Sequence, residues 1–265
     1  MAYVMKKHLA HRSNYGDKRS TSDIAYIVIH FTANDGDHDE GNANYFASPR
    51  NPKASAHLFV DDDSVTQSVP DDYVAYSVGG SKYTDCTKTG GGKLYGIATN
   101  RNTLNIEMCD TVKDGTIKAQ EATIVNTILL VRKKMKQYNI DIAHVIRHFD
   151  VTGKHCPAYM MDEQAWAEFK ARILGYRIGR TYKTIAACYL RTSPGTGSNK
   201  VLYKDLSASL QVKCSHFGGH AKFSGAFTLT EVRATGNDIW GKIKSGYWVP
   251  MKYKGLSRAK LKEPV

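Results

Sequence analysis

The sequence predicts an α/β domain, with a central mixed β-sheet and flanking helices, followed by a small all-β barrel. Three features predict it. Residues 24–31 (I-A-Y-I-V-I-H-F) form a β-branched apolar run, residues 118–138 carry apolar side chains at helical spacing, and after about residue 176 short strand-like runs alternate with Gly, Ser, Pro and Asn clusters without a helical period. At 265 residues the chain exceeds a minimal domain and suits two, 1–175 and 182–265, joined by a short linker near 175–181.

Each element has its own signal. The nearly continuous apolar run at 24–31 reads as a strand buried on both faces, ending at a histidine. Residues 55–69 read as two strands around a D-D-D-S turn from Asp61 to Ser64, because Asp and Ser favour turns between apolar flanks. Residues 103–109 (T-L-N-I-E-M-C) alternate as a strand with Glu107 on one face. The helix over 118–138 shows Ile124, Ile128, Leu129, Val131, Met135 and Tyr138 at helical spacing and gathers Lys and Arg at its end, where they suit the helix dipole. A short strand is expected at His144 to Ile146. A second helix over 162–173 opens with acids, closes with bases and is stopped by Gly175. Residues 86–93 (C-T-K-T-G-G-G-K) read as a flexible loop whose glycines lack phosphate-loop spacing.

Composition narrows the function classes. Hydrophobic residues make up 42% and charged residues 23%, with sixteen tyrosines, so the chain is globular rather than disordered. No apolar run approaches the ~20 residues needed to span a bilayer, so no membrane insertion is expected. The first residues lack an apolar stretch behind their lysines, and no signal peptide is expected. Five scattered cysteines do not make a disulfide framework. The net charge of +12 is unevenly placed: residues 1–175 hold 21 basic and 21 acidic side chains, residues 176–265 hold 16 and 4. The basic end is expected to attract polyanions, whether nucleic acid, anionic lipid or the anionic polymers of a bacterial wall.

Three side chains follow apolar strands: His30 after I-V-I, His148 after H-V-I-R, and Cys156 eight residues later. Catalytic zinc takes three protein ligands and keeps a fourth position open, and two imidazoles with one thiolate fit that count. A lone histidine is ordinarily a satisfied polar residue; the joint pattern is what points to a metal.

The string R-H-F-D-V-T-G-K-H-C-P at 147–157, with V-I-H-F-T-A at 28–33, S-A-H-L-F-V-D-D-D at 55–63 and N-I-E-M at 105–108, resembles the type 2 N-acetylmuramoyl-L-alanine amidases, the family of phage amidases and peptidoglycan recognition proteins. The resemblance spans roughly residues 20–174. It implies that His30, His148 and Cys156 bind Zn2+, that Lys154 stands beside the scissile carbonyl, and that Thr32, His57 and Ser77 occupy substrate-binding positions. Amide hydrolysis needs an activated water and a stabilised oxyanion, which this set could supply. Glu107 is the candidate general base. Other branches place a tyrosine where this chain has Ala56, and relatives often have a histidine where it has Ser77. For His57 a structural role stays open beside substrate orientation. Asp150 is a candidate to hold a ligand histidine from behind, and His11, His38, His144 and His155 read as surface or packing residues.

Residues 189–195 (Y-L-R-T-S-P-G), 228–233 (T-L-T-E-V-R) and 238–251 (D-I-W-G-K-I-K-S-G-Y-W-V-P-M) resemble bacterial SH3-like domains of wall hydrolases. That implies wall binding, with Tyr189, Tyr203, Trp240, Tyr247 and Trp248 as candidate groove aromatics, although half or more of such a set is normally core. The expected partner is peptidoglycan, with anionic wall polymers beside it and no nucleic acid, since no nucleic-acid motif accompanies the basic end. The expected localisation is a host cytoplasm before lysis and then the cell wall, as for an endolysin; an autolysin of the same chemistry or a non-catalytic recognition protein are the alternatives. A glycosidase would need paired carboxylates, and Asp61 to Asp63 read better as a turn.

Overall fold

The computed structural model describes residues 3–197, 200–235 and 238–262. The chain divides into two compact units, Met1–Ala165 and Trp166–Val265. In the first, the strands are β1 (Val4–Lys7), β2 (Tyr15–Lys18), β3 (Tyr26–Phe31), β4 (Leu58–Val60), β5 (Ser64–Gln67), β6 (Tyr73–Ala75), β7 (Thr103–Met108) and β8 (Val145–Arg147). The helices are α1 (Asp39–Phe46), the single turn α2 (Cys86–Thr89), α3 (Glu121–Tyr138) and α4 (His148–Thr152); α5 (Glu163–Ile173) carries the division between units.

Six strands form one sheet in the order β1-β5-β4-β7-β3-β8. All neighbours are parallel except the β4/β5 hairpin, so the sheet is mixed, as expected. β3 lies between β7 and β8 in that order, and Ile27, Val28 and Ile29 have zero exposure, the physical reason its apolar run does not alternate. Ile27, Ile29, Leu104 and Ile106 are fully buried, each worth roughly 1.5–3 kcal/mol relative to exposure.

α3 begins at Glu121, three residues after the expected start, and packs on β3, β4 and β7. Its buried side is less apolar than its periodicity suggests, for it includes Thr123, Asn126, Thr127 and Lys134. Two of these have partners that offset the burial: Asn126 Nδ2 donates to the Asp61 carbonyl at 3.0 Å and Thr127 Oγ1 to the Thr123 carbonyl at 2.8 Å. The segment expected to be a flexible loop, 86–93, instead starts with α2 and seats Gly91 and Gly92 in the interior. A Cβ on Gly91 would come within 2.7 Å of the Phe149 ring, which explains glycine at that point. Among the described residues no helix is long and apolar enough to cross a membrane.

The second unit is built from strands: β9 (Thr181–Thr184), β10 (Cys188–Tyr189), β11 (Cys214–Phe217), β12 (His220–Phe223), β13 (Ala226–Thr235), β14 (Asp238–Ile243), β15 (Trp248–Tyr253), β16 (Leu256–Ser257) and β17 (Ala259–Leu261). One antiparallel sheet has the order β16-β15-β14-β13-β9-β17, and a smaller one the order β10-β12-β11. A helical turn, α6 (Ala208–Gln211), interrupts the strands. The core of this unit gathers Leu190, Ala221, Phe223, Leu229, Val249 and Met251.

Candidate metal centre

β3 and β7 run parallel with His30 opposite Glu107 and Val28 opposite Asn105. Paired residues in register point to the same face, and side chains repeat every second residue, so His30, Asn105 and Glu107 share one side of the sheet. β8 ends at Arg147 and α4 begins at His148, which brings the second imidazole beside the first. The two rings meet edge to face, 4.8 Å between centroids. α4 stops at Gly153, whose φ of +88° belongs to the left-handed region; a Cβ there would run into Cys86 Sγ. The chain turns back at this glycine and delivers Lys154 to the surface and Cys156 to the interior.

One donor atom from each of His30, His148 and Cys156 lies within 4.8 Å of the other two, and all three residues are buried. Cys156 Sγ is 3.8 Å from His30 Nδ1. A hydrogen-bond chain fixes which nitrogen of His30 is free. Thr103 Oγ1 donates to the Thr99 carbonyl at 2.9 Å, so it accepts from Asn105 Nδ2 at 3.1 Å. Asn105 Oδ1 therefore faces His30 Nε2 at 3.0 Å, Nε2 carries the proton, and Nδ1 points its lone pair toward Cys156. His148 Nδ1 is buried with no hydrogen-bond partner among the described residues, an arrangement that costs free energy unless something else occupies it.

The electrostatics suit a cation. Burial lowers the His30 pKa to about 4 although Asn105 pulls the other way, and burial with His30 and Lys154 nearby depresses His148 still further. Both imidazoles are thus neutral donors at physiological pH. Burial, with the Glu107 charge added, pushes the Cys156 thiol well above its ordinary range. A divalent ion reverses that preference, because a coordinating thiol is deprotonated outright. The donor set therefore fits a metal ion held by two nitrogens and one sulfur.

Glu107 Oε1 lies 3.8 Å from His30 Nδ1, and its Oε2 is buried without a hydrogen-bond partner among the described residues. Burial raises this carboxyl to about 8, with Lys154 opposing and Asp37 adding to the rise. Glu107, Lys154 and Thr32 line one cleft of about 770 Å³, whose far wall comes from α1 with Asn42 and Tyr45. The structure thus brings together the three expected donors, both expected catalytic residues and one of three expected substrate positions.

The other two lie elsewhere. His57 is fully buried. Its Nδ1 accepts the Asn105 N–H at 3.0 Å, which leaves Nε2 to donate to the Tyr73 carbonyl at 3.1 Å, with the Arg19 guanidinium 2.9 Å away. Its geometry is that of a packing residue, and burial with Arg19 nearby lowers its pKa to about 3. Ser77 is outside the cleft lining and its hydroxyl donates to the Ser55 carbonyl. Asp150 does not support a ligand histidine: at the third position of α4 its carboxylate folds back to accept the Arg147 N–H at 2.8 Å and pairs with the Arg147 guanidinium at 2.7 Å. In the second unit Trp240 and Trp248 are 2% and 4% exposed and belong to the interior rather than to an open groove, while Tyr203 and Tyr247 pack against the core.

Two residues that the sequence reading gave no role are important in the structure. Asn105 selects the His30 nitrogen. Arg147, 3% exposed, donates to the Met160 and Met161 carbonyls at 3.0 Å and pairs with Glu163 at 2.7 Å, fastening the segment after Cys156 to the end of β8. A buried arginine between an apolar strand and a histidine is the one hint the sequence offered.

A mixed sheet whose strand ends, with the turn after α4, gather two imidazoles and a thiol next to a cleft lined by a carboxylate and an ammonium defines a candidate metallohydrolase centre. Residues 20–159 match the family model described as N-acetylmuramoyl-L-alanine amidase, and the chain belongs to that family. It is 34% identical over 191 residues to a probable N-acetylmuramoyl-L-alanine amidase of Bacillus licheniformis, covering 69% of this chain and 50% of that protein. It is 29% identical to the N-acetylmuramoyl-L-alanine amidase CwlA of Bacillus subtilis, covering 80% of this chain and 74% of the relative. The chain thus spans about half the length of some of the curated relatives it matches. Among solved structures, a mutant endolysin from Bacillus subtilis superposes with a TM-score of 0.50 at 26% identity, over 64% of this chain and 99% of the other. The PlyG catalytic domain does so with a TM-score of 0.50 at 29% identity, over 64% and 93%.

Proposed function

We propose that this chain hydrolyses the amide joining N-acetylmuramic acid to L-alanine in bacterial peptidoglycan, with zinc held by His30, His148 and Cys156. The observation that carries the reading is the convergence of those three buried donors, with Glu107 Oε1 3.8 Å from His30 Nδ1 and Glu107 and Lys154 lining the adjoining cleft. Bound zinc supplies the Lewis acidity that amide cleavage needs and that these side chains lack by themselves. Asn105 keeps the His30 lone pair aimed inward through its bond to Nε2. Glu107 lines the cleft, and with the charge of a bound divalent ion beside it to favour the carboxylate it would take the proton of the attacking water and hand it to the departing amine. Lys154, exposed at the cleft rim, places positive charge where the carbonyl oxygen gains negative charge.

The second unit is, in this reading, an SH3-like wall-binding module. Its support is the strand-built core and the 16 basic side chains against 4 acidic ones in residues 176–265. The whole chain acts, in this reading, as a phage endolysin, made in a host cytoplasm and acting on the wall at lysis; similarity of the first unit's fold to a mutant endolysin from Bacillus subtilis supports this, and an autolysin of the same chemistry is the alternative.

Digestion of purified walls tests the chemistry. It is expected to release new L-alanine amino termini without new reducing sugar ends, and to stop on chelation and resume with zinc. Cys156→Ser is expected to lose both zinc and turnover, and Glu107→Ala to lose turnover while keeping zinc. Near-wild-type rates in Glu107→Ala would remove the proton-transfer role.

A further inference from the structure

The small sheet β10-β12-β11 has an outward face on which Tyr189, Lys222 and Ser215 lie side by side across three strands, and His220 lies opposite Phe217. The alternation is clear along β12: Ala221 and Phe223 are 0% and 1% exposed in the core, so His220 and Lys222 point away from it. On this face two ammoniums interleave with two rings. Lys200 Nζ is 4.2 Å from the Tyr189 ring centroid, and Lys222 Nζ is 5.1 Å from Tyr189 and 4.5 Å from Phe217, which is 61% exposed. Among the described residues neither lysine is ion-paired, in contrast to Lys242, which pairs with Glu231 at 3.3 Å.

A surface lysine ordinarily extends into water and keeps its rotamer freedom. Here the rings hold both ammoniums down on the sheet, fixing two neighbouring charges in place. The fixed charges suit a ligand with repeated negative groups. The same contacts weigh against bases stacking on Tyr189, whose ring already holds two ammoniums.

We infer that this face is a docking surface for a linear phosphodiester polymer without bases, the polyol-phosphate chemistry of anionic bacterial wall polymers, with Lys200 and Lys222 as its charge contacts and Tyr189 and Phe217 as their supports. The choice of a wall polymer rests on the wall-hydrolase reading above. The surface would hold the enzyme on its substrate through a component that the active site does not cut.

Binding of the full chain to soluble poly(glycerol phosphate), followed by calorimetry over a salt series, tests the assignment. Each ammonium near an anionic surface is worth about fivefold in affinity, so the double variant Lys200→Gln, Lys222→Gln is expected to bind roughly 30-fold more weakly at low salt and with a shallower salt dependence. The pair Lys183→Gln, Lys260→Gln removes the same charge from the paired strands β9 and β17 of the larger sheet and is expected to change binding little. Equal losses in the two double variants would overturn the assignment, since net charge alone would then explain attraction. So would duplex DNA or anionic phosphatidylglycerol vesicles binding more tightly than the polymer. Cleavage of soluble muropeptide by the wild-type chain is measured separately: a chain that binds the polymer yet releases no L-alanine termini refutes the amidase reading and leaves this one intact.

Discussion

Replacing Asn105 by alanine is expected to weaken zinc binding by roughly 10–100-fold, the range typical of lost supporting hydrogen bonds around metal ligands, or about 1.4–2.8 kcal/mol. The geometry explains the size. Asn105 has zero exposure and His30 2%, so no bulk water reaches Nε2 once the Oδ1 acceptor at 3.0 Å is gone. A buried N–H without a partner costs roughly 1–3 kcal/mol, and the metal-free protein escapes that cost by moving the proton to Nδ1. Zinc must then displace that proton before it can use the nitrogen, and the affinity falls accordingly. Competition against a fluorescent zinc chelator measures the effect, with thermal melting to verify the fold. Asn105→Asp keeps an acceptor facing His30 and is expected to hold zinc far better than the alanine variant. An alanine variant with zinc affinity within about twofold of wild type, under conditions where Cys156→Ser loses it, would refute the tautomer argument.

Other outcomes follow from buried groups outside the centre. Burial would raise the Asp71 carboxyl, but the Lys134 charge and hydrogen bonds from Lys134 and Tyr138 outweigh it and hold it below its ordinary value. Its contribution is therefore present above the unfolded value of about 3.9 and lost as pH falls through the folded one; urea midpoints measured from pH 6 to pH 2 should fall on the acid side, and fall less in Asp71→Asn. That variant is also expected to lose roughly 3–5 kcal/mol at pH 7, because it strands the buried Lys134 ammonium. Arg147→Met is expected to cost a similar amount in urea unfolding, since it leaves Asp150 and two carbonyls without their shared donor; a loss under about 1 kcal/mol would contradict the role given to this arginine. Gly153→Ala is expected to lower stability by roughly 1–3 kcal/mol through left-handed strain, with further loss from contact with Cys86 that Cys86→Gly should relieve.

The sequence by itself determined the parts of the protein that depend on local order. The buried apolar run of β3, the periodicity of α3 and the acid-to-base gradient of α5 each announce an element within a few residues of where it lies. The donors were legible too, because His30 and His148 sit at strand ends and Cys156 shares one short segment with His148. Charge partition between the two parts is a property of composition alone.

Tertiary structure decided everything that depends on which strands pair and which face turns inward. Register between β3 and β7 puts Asn105 against His30, 75 residues away in the chain, and Glu107 beside it. The same packing buries His57 against the Asn105 backbone, turns Asp150 back to Arg147, and sends Trp240 and Trp248 into the core while leaving Tyr189 on an outward face. A hydrogen bond between distant residues leaves no mark in local periodicity, because its energy belongs to the pair and exists only once both strands are in place.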